Sequence, residues 1–170
     1  MIFSTLEGKT ITRWVGTEMA LSDGSLDDGP VVWEHSSVPY LQLVSIDVLL
    51  ADGTVYQLSS QADDGSGYYG LFLTGRDAMD TAIGPEVGSI FRTRDLSELP
   101  VGVANVAIAE VDGKNSVLRA EISIVGRKIS FWAAEVYERD GGHFDVVGCD
   151  ESVLIQVDGT RPRLTFNTAD

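Results

Sequence analysis

Apolar and polar residues alternate one by one along much of the chain, most regularly in residues 117–125. Leu118, Ala120, Ile122 and Ile124 occupy every second position there, with polar residues between them. A period of two places alternate side chains on opposite faces of a β-sheet. The segment therefore predicts a strand with one face in the core.

Asp-Gly pairs separate several of these strand-like segments and predict tight turns. Glycine accepts positive φ without steric cost, and aspartate can bond its own backbone, so the dipeptide suits a type I′ turn. We expect three antiparallel hairpins. Their paired segments are Ser45–Leu50 with Thr54–Ser60, Val103–Val111 with Val117–Val125, and Val153–Val157 with Arg163–Phe166.

Further strands are predicted on either side of the hairpins. They are Ile2–Leu6, Thr10–Val15, Val31–Glu34, Tyr40–Leu50, Leu71–Thr74, Lys128–Glu138 and His143–Gly148. One short helix is predicted near residues 76–83, with Gly84–Pro85 as its stop. The predicted fold class is mainly β, an antiparallel meander that forms a sandwich or a barrel. At 170 residues we expect a single β-rich domain over residues 1–170.

Charge is distributed unevenly along this pattern. The formal net charge is −14, and the sixty-two residues from Trp14 to Gly75 include no Lys or Arg but nine carboxylates. A long segment of one sign predicts a negative surface that attracts basic partners and repels nucleic acid. The same charge is also explained by solubility alone, and both interpretations stay open.

Two loops combine this charge with aromatic side chains and are the predicted partner-binding region. Tyrosine offers a large contact area at low entropy cost, and a neighbouring carboxylate can pair with a partner's Arg or Lys. The alternatives are core packing for Trp33 and an inward orientation for one of the two tyrosines. The candidate binding residues are Asp27, Asp28, Glu34, Asp63, Asp64, Tyr68 and Tyr69.

No motif predicts catalysis, a cofactor or a metal. Gly65–Gly70 matches G-x-G-x-x-G, but Asp63 and Asp64 precede it and would repel a pyrophosphate. The acidic loops lack the spacing of a calcium-binding loop, and His35, His143 and Cys149 do not form a zinc motif. His143 and Cys149 could in principle act as a base and a nucleophile, although a surface imidazole and a partly buried thiol explain them as well. We therefore expect no enzyme activity.

The chain has no secretory signal pattern, a single cysteine and no apolar run of the ~20 residues that a membrane span needs. These features predict a cytoplasmic protein of a bacterium-like cell that interacts with neither membranes nor nucleic acid.

The acidic stretches LSDGSLDDGP (21–30) and SSQADDGSGYY (59–69) resemble the immunity proteins of interbacterial toxin systems in composition and in their β-rich setting. The resemblance implies a cytoplasmic inhibitor that caps the basic surface or active site of a cognate toxin. It transfers no individual functional residue. Two alternatives remain: a calycin-like β-barrel that binds a small ligand among Trp14, Phe72, Phe131 and Trp132, and a structural component of a phage or secretion apparatus.

Overall fold

The computed structural model describes residues 3–22, 31–62, 69–77, 83–85, 89–111 and 117–166. One 3-10 helix, Phe3–Leu6, precedes the strands. The strands are β1 (Thr10–Met19), β2 (Leu41–Leu50), β3 (Val55–Ala62), β4 (Tyr69–Arg76), β5 (Gly84–Pro85), β6 (Phe91–Asp95), β7 (Gly102–Val111), β8 (Val117–Ile124), β9 (Arg127–Arg139), β10 (His143–Val157) and β11 (Leu164–Thr165).

Strand pairing closes into a barrel. The strands β1, β2, β10, β9, β8 and β7 follow one another in a ring in which every neighbour is antiparallel. The β3–β4 hairpin joins β2 to β8 by a second route. The β6 and β5 strands extend the sheet from the outer edge of β1. The predicted mainly β fold is confirmed, and of the two predicted architectures the structure shows the barrel.

The barrel interior is filled by apolar side chains. Ile129, Phe131 and Ala133 alternate along β9 and face a core that also contains Ile122 and Ile124 of β8. Trp132 lies between these positions and therefore belongs to a second cluster, on the other face of β9. The period-two pattern of the sequence thus correctly separates the inner face from the outer one.

Two of the three predicted hairpins are confirmed, and the third is wrong. β2 pairs with β3 and β7 pairs with β8, each in antiparallel register. β11 instead lies parallel to β10, opposite Val146 and Val147. The reason lies at Asp158, whose carboxylate accepts the backbone N–H of Lys128 at 2.8 Å and a hydrogen bond from Arg127. These bonds attach the turn to the β8–β9 hairpin, so the chain does not fold back on the end of β10.

Two predicted strands near the N-terminus are also wrong. Within Ile2–Leu6, Phe3 and Leu6 are both buried, and a 3-10 turn brings residues three apart to one side. In Val31–Glu34 only Val32 forms a bridge, with Ser22, and the Trp33 indole donates instead to the carbonyl of Ile90 at 3.2 Å.

The predicted helix near 76–83 falls mostly on residues 78–82, outside the described residues. At its start, Arg76 is the last residue of β4 and pairs with Val55. The strand β6, which the sequence pattern did not predict, pairs with β1 from Met19 to Val15. It brings Arg92 and Arg94 beside the carboxylate of Glu18.

Candidate functional site

A cavity of about 450 Å³ opens where several strands begin or end, and we call it the end cavity. Met19 ends β1, while Tyr69 and Phe91 begin β4 and β6. Hydroxyl and amide groups dominate the rest of its wall. The lining residues are Met19, Val44, Ser45, Gln57, Ser59, Ser60, Gln61, Tyr69, Phe91, Glu151 and Ser152.

A bulge in β10 supplies the acidic part of this wall. Gly148 pairs with Ala134 and Val153 pairs with Ala133, so the four residues 149–152 have no partner on β9. Cys149 adopts a left-handed conformation with φ of 58°, which turns the chain out of the ladder. The Ser60 hydroxyl then holds the bulge by donating to the carbonyl of Asp150 at 2.6 Å.

Glu135 is a buried acid directly behind this wall. It follows Ile129, Phe131 and Ala133 in the alternation of β9, so its side chain faces inward. Only 5% of its surface is exposed. The Ser152 hydroxyl donates to its Oε2 at 2.9 Å. The Ser152 oxygen also lies 3.9 Å from the Met19 sulfur. The hydroxyl has a single hydrogen, and the nearer, charged carboxylate is the stronger acceptor for it.

Burial raises the pKa of Glu135 to about 7, and the neighbouring charges of Asp150 and Glu151 add to the shift against the opposing hydrogen bond from Ser152. Burial also raises the pKa of Tyr137, helped by the carboxylates of Glu135 and Asp150. The phenol of Tyr137 donates to Asp150 Oδ2 at 3.1 Å. Negative charge is therefore concentrated around the bulge, where no Lys or Arg of the described residues pairs with Glu135, Asp150 or Glu151.

The other buried glutamates are neutralised by the protein's own bases. Glu18 accepts hydrogen bonds from Arg92 and, at 2.8 Å, from Arg94. Glu121 contacts Arg119 and Lys128, each at 2.9 Å. Among the described residues, Glu135 is the buried glutamate without a Lys or Arg contact. The environment of Glu135 therefore differs from that of Glu18 and Glu121, because a hydroxyl group takes the place of basic side chains.

The structure brings together only part of the predicted binding region. Tyr69 lines the end cavity together with Gln61 of β3. Glu34 instead borders a second cavity, and its Oε1 accepts a hydrogen bond from Arg92 at 3.2 Å. The remaining candidates, Asp27, Asp28, Asp63, Asp64 and Tyr68, lie outside the described residues.

Over its described part, the base-free segment is not one continuous negative surface. Glu18 and Glu34 both pair with Arg92, and Asp52 pairs with Lys9 at 3.2 Å. Asp47 is buried within β2. The expectation of a single anionic face is therefore corrected, because bases from outside the segment fold onto its carboxylates.

The second cavity, of about 540 Å³, lies where β2 and β9 begin and β10 ends. Leu41, Leu99, Ile155 and Val157 form its apolar part, and Arg127 is among its polar lining residues. The aromatic residues predicted to line a ligand cavity do not come together there. Trp14 and Phe131 pack in the main core with ring centroids 6.2 Å apart, Trp132 lies in the other cluster, and Phe72 is partly buried in β4.

Other chemistry finds little support in the described ranges. No three His, Cys, Asp or Glu side chains there are grouped so that they could hold a metal ion. His143 begins β10 and Cys149 lies in its bulge, so a strand rise of ~3.4 Å per residue separates them by roughly 20 Å. No described helix is both long enough and apolar enough to cross a bilayer.

Comparison of the chain with protein-family models, with curated proteins and with solved structures finds no match. The function is therefore argued from the residues themselves.

The sequence pattern did not predict the acidic group formed by Glu135, Asp150 and Glu151, nor its contact with Ser152. One signal for Glu135 was present, because it is a charged residue at an inward position of a regular alternation. The bulge residues had no such signal, since an irregularity in a strand is set by its partner strands and not by hydrophobic period.

Proposed function

We propose that this protein is an acidic protein-binding domain that docks on a basic partner through the barrel end that contains the end cavity. In the form that the resemblance implies, it is an immunity protein that neutralises a cognate toxin by covering a basic surface or active site. The observation that supports it best is the group Glu135, Asp150 and Glu151, which among the described residues makes no ion pair with Lys or Arg.

The distribution of the protein's bases strengthens the argument. Eight Lys or Arg side chains already pair with carboxylates of the chain. The field around the protein is negative, and the paired bases do not offset it because their charge is already balanced by their own carboxylates. None of these eight side chains is among the residues that line the end cavity.

Two residues close in sequence to Asp63 and Asp64, namely Gln61 and Tyr69, line the end cavity. Carboxylates on a docking surface accelerate encounter with a basic partner, to roughly 10⁸ M⁻¹s⁻¹ at low salt.

The test begins with capture of the partner on the tagged protein from cells that encode it, and continues with association rates. Glu151→Lys changes an exposed residue of the bulge, and Asp63→Lys with Asp64→Lys changes the two carboxylates close in sequence to Gln61 and Tyr69. Both variants should associate at least about tenfold more slowly at low salt, with the difference shrinking at high salt.

Asp77→Lys is the matched control. Asp77 is exposed and follows the opposite end of β4, roughly 25 Å along the strand from Tyr69. It makes the same charge change as Glu151→Lys away from the proposed surface. Equal slowing by the two variants would show that only net charge matters and would remove the end cavity from the interface.

Small-molecule binding is a second candidate, favoured by the second cavity of about 540 Å³, whose volume lies in the range of ligand sites. Native mass spectrometry of the purified protein tests it. A bound compound lost in Leu99→Trp, a substitution that would fill the cavity, supports this function. An unloaded protein that also binds no member of a metabolite library opposes it.

A further inference from the structure

The end cavity offers more than a negative surface, because an acid without a basic partner lies behind it. Glu18 and Glu121 show how this protein accommodates a buried glutamate, with two basic side chains each. Glu135 is as deeply buried and has one hydroxyl, that of Ser152. Burying a carboxylate without a compensating charge is costly, so a positive group bound in the cavity would stabilise the ionised form of Glu135.

The lining of the cavity fits such a group. Ser59, Ser60 and Gln61 supply side-chain oxygen atoms that can accept from an ammonium or guanidinium group. Met19 and Phe91 supply the apolar contact that an alkyl stem or a guanidinium plane requires. Ser152 is the link between cavity and acid, since its side chain lines the one and its hydroxyl bonds the other.

We propose that the end cavity receives one lysine or arginine side chain of the partner protein, with Glu135 as its buried counter-ion. This inference rests on the proposed function and names the chemistry of its central contact. Glu135 does not itself line the cavity, so Ser152 lies between the acid and the bound cation. A desolvated charge pair of this kind can dominate binding energy.

The charged and titratable groups that face Glu135 all act in one direction. Asp150 and Glu151 of the β10 bulge are negative, and burial together with these carboxylates raises the pKa of Tyr137, so its phenol is neutral near neutral pH. With a pKa of about 7, Glu135 is protonated in mild acid and ionised in mild base. Cation binding should therefore be weak at pH 5.5 and strong at pH 8.5.

The test uses a small probe, so that it does not depend on finding the partner. Nα-acetyl-arginine amide is titrated into the full chain, and the Glu135 carboxyl carbon is followed by NMR. Nα-acetyl-citrulline amide is the neutral control of nearly the same shape. The arginine probe should lower the apparent pKa of Glu135 and bind more tightly at pH 8.5 than at pH 5.5, whereas the citrulline probe should do neither.

Glu135→Gln should weaken binding of the arginine probe at least about tenfold at pH 8.5, while Glu138→Gln, at an exposed position of the same strand, should not. Equal behaviour of the two probes, or arginine binding that Glu135→Gln does not weaken, would overturn the inference. If that happens while Glu151→Lys still slows docking, the proposed function stands without this contact. If the arginine probe binds as expected and no partner protein is captured, the site stands and the docking function fails.

Discussion

At the scale of single residues, Glu135 makes the stability of the protein depend on pH. Its pKa rises from 4.5 to about 7 on folding, because burial and the charges of Asp150 and Glu151 disfavour its ionised form. Between these values the folded chain holds a proton that the unfolded chain has released. Stability is therefore lost as pH rises through this window, and the loss is complete above pH 7.

Glu135→Gln should remove this dependence, because the amide does not ionise. A shift of this size corresponds to up to about 3 kcal/mol in the free energy of unfolding. Urea unfolding of the wild type and the variant at pH 5 and pH 8 measures it, with Glu138→Gln as the control. The difference in free energy of unfolding between the variant and the wild type should be more favourable to the variant at pH 8 than at pH 5, by that amount. A gain that is equal at both values would mean that Glu135 is not protonated in the fold.

A second residue, Val125, shows a conflict between side chain and backbone. It forms the tip of the β8–β9 hairpin with Gly126, and the two have φ of 50° and 76°. These angles suit a type I′ turn, where Asn-Gly is favoured and a β-branched residue is strained. Val125 is 79% exposed, so little packing offsets the strain.

Val125→Asn should therefore stabilise the protein by about 1 kcal/mol. Thermal unfolding measures the change. Val103→Asn is the control, because Val103 is also exposed but lies in β7, where a β-branched residue is favoured. The control should be neutral or destabilising, and equal effects at both positions would argue against strain at the hairpin tip.

At the scale of elements, the sequence pattern predicted most strands because hydrophobic period and turn chemistry act locally. Asp52–Gly53 correctly marked the β2–β3 hairpin, and the alternation in 117–125 correctly marked β8. The parallel placement of β11 depends on long-range bonds from Asp158 to the start of β9, which no local pattern encodes. The strand β6 was missed for a related reason: its arginines indicate solvent, yet they pair with a carboxylate on β1.

The attachment of β6 to β1 contains a buried and an exposed ion-pair site that should differ greatly in energy. Glu18 is 2% exposed and contacts Arg92 and Arg94, whereas Asp95 is about half exposed and contacts Arg13 at 2.6 Å. Hydrogen bonds from Arg94 to Glu98 and Glu18 raise the pKa of that guanidinium, so it stays charged if an acceptor is lost.

Glu18→Gln should destabilise the protein by about 3 kcal/mol, because it removes the buried carboxylate that both partly buried arginines share and leaves them only the more exposed Glu34 and Glu98. Asp95→Asn should cost less than about 1 kcal/mol, as expected for a surface pair. Urea unfolding at pH 7 measures the free energy of unfolding of both variants under the same conditions. Similar losses would indicate that the Glu18 contacts are as well hydrated as those at the surface.

At the scale of the whole molecule, charge was the feature most visible in the sequence and the hardest to place. The base-free stretch was evident, but Arg92 comes from elsewhere in the chain and neutralises Glu18 and Glu34. The uncompensated acids Glu135, Asp150 and Glu151 come instead from β9 and the β10 bulge. A linear charge pattern reports how much charge must be accommodated, and only the pairing of strands decides where it remains.

The excess of negative charge should be measurable as a dependence of the protein's stability on salt concentration. Two opposing effects are expected as ionic strength rises from ~10 mM to ~0.3 M, because the Debye length falls from about 30 Å to well under 10 Å. Ion pairs such as Arg13 with Asp95 weaken, which lowers the melting temperature. Repulsion within a chain of formal net charge −14 weakens as well, which raises it.

The second effect should win, because exposed pairs contribute little each while repulsion acts across the whole molecule. Calorimetry in NaCl should therefore show a melting temperature that rises with salt at pH 8. The rise should be smaller at pH 4.5, where many carboxylates are protonated. A melting temperature that falls with NaCl at pH 8 would mean that the internal ion pairs outweigh the surplus, and the negative field proposed to steer a basic partner would then be too weak for that role.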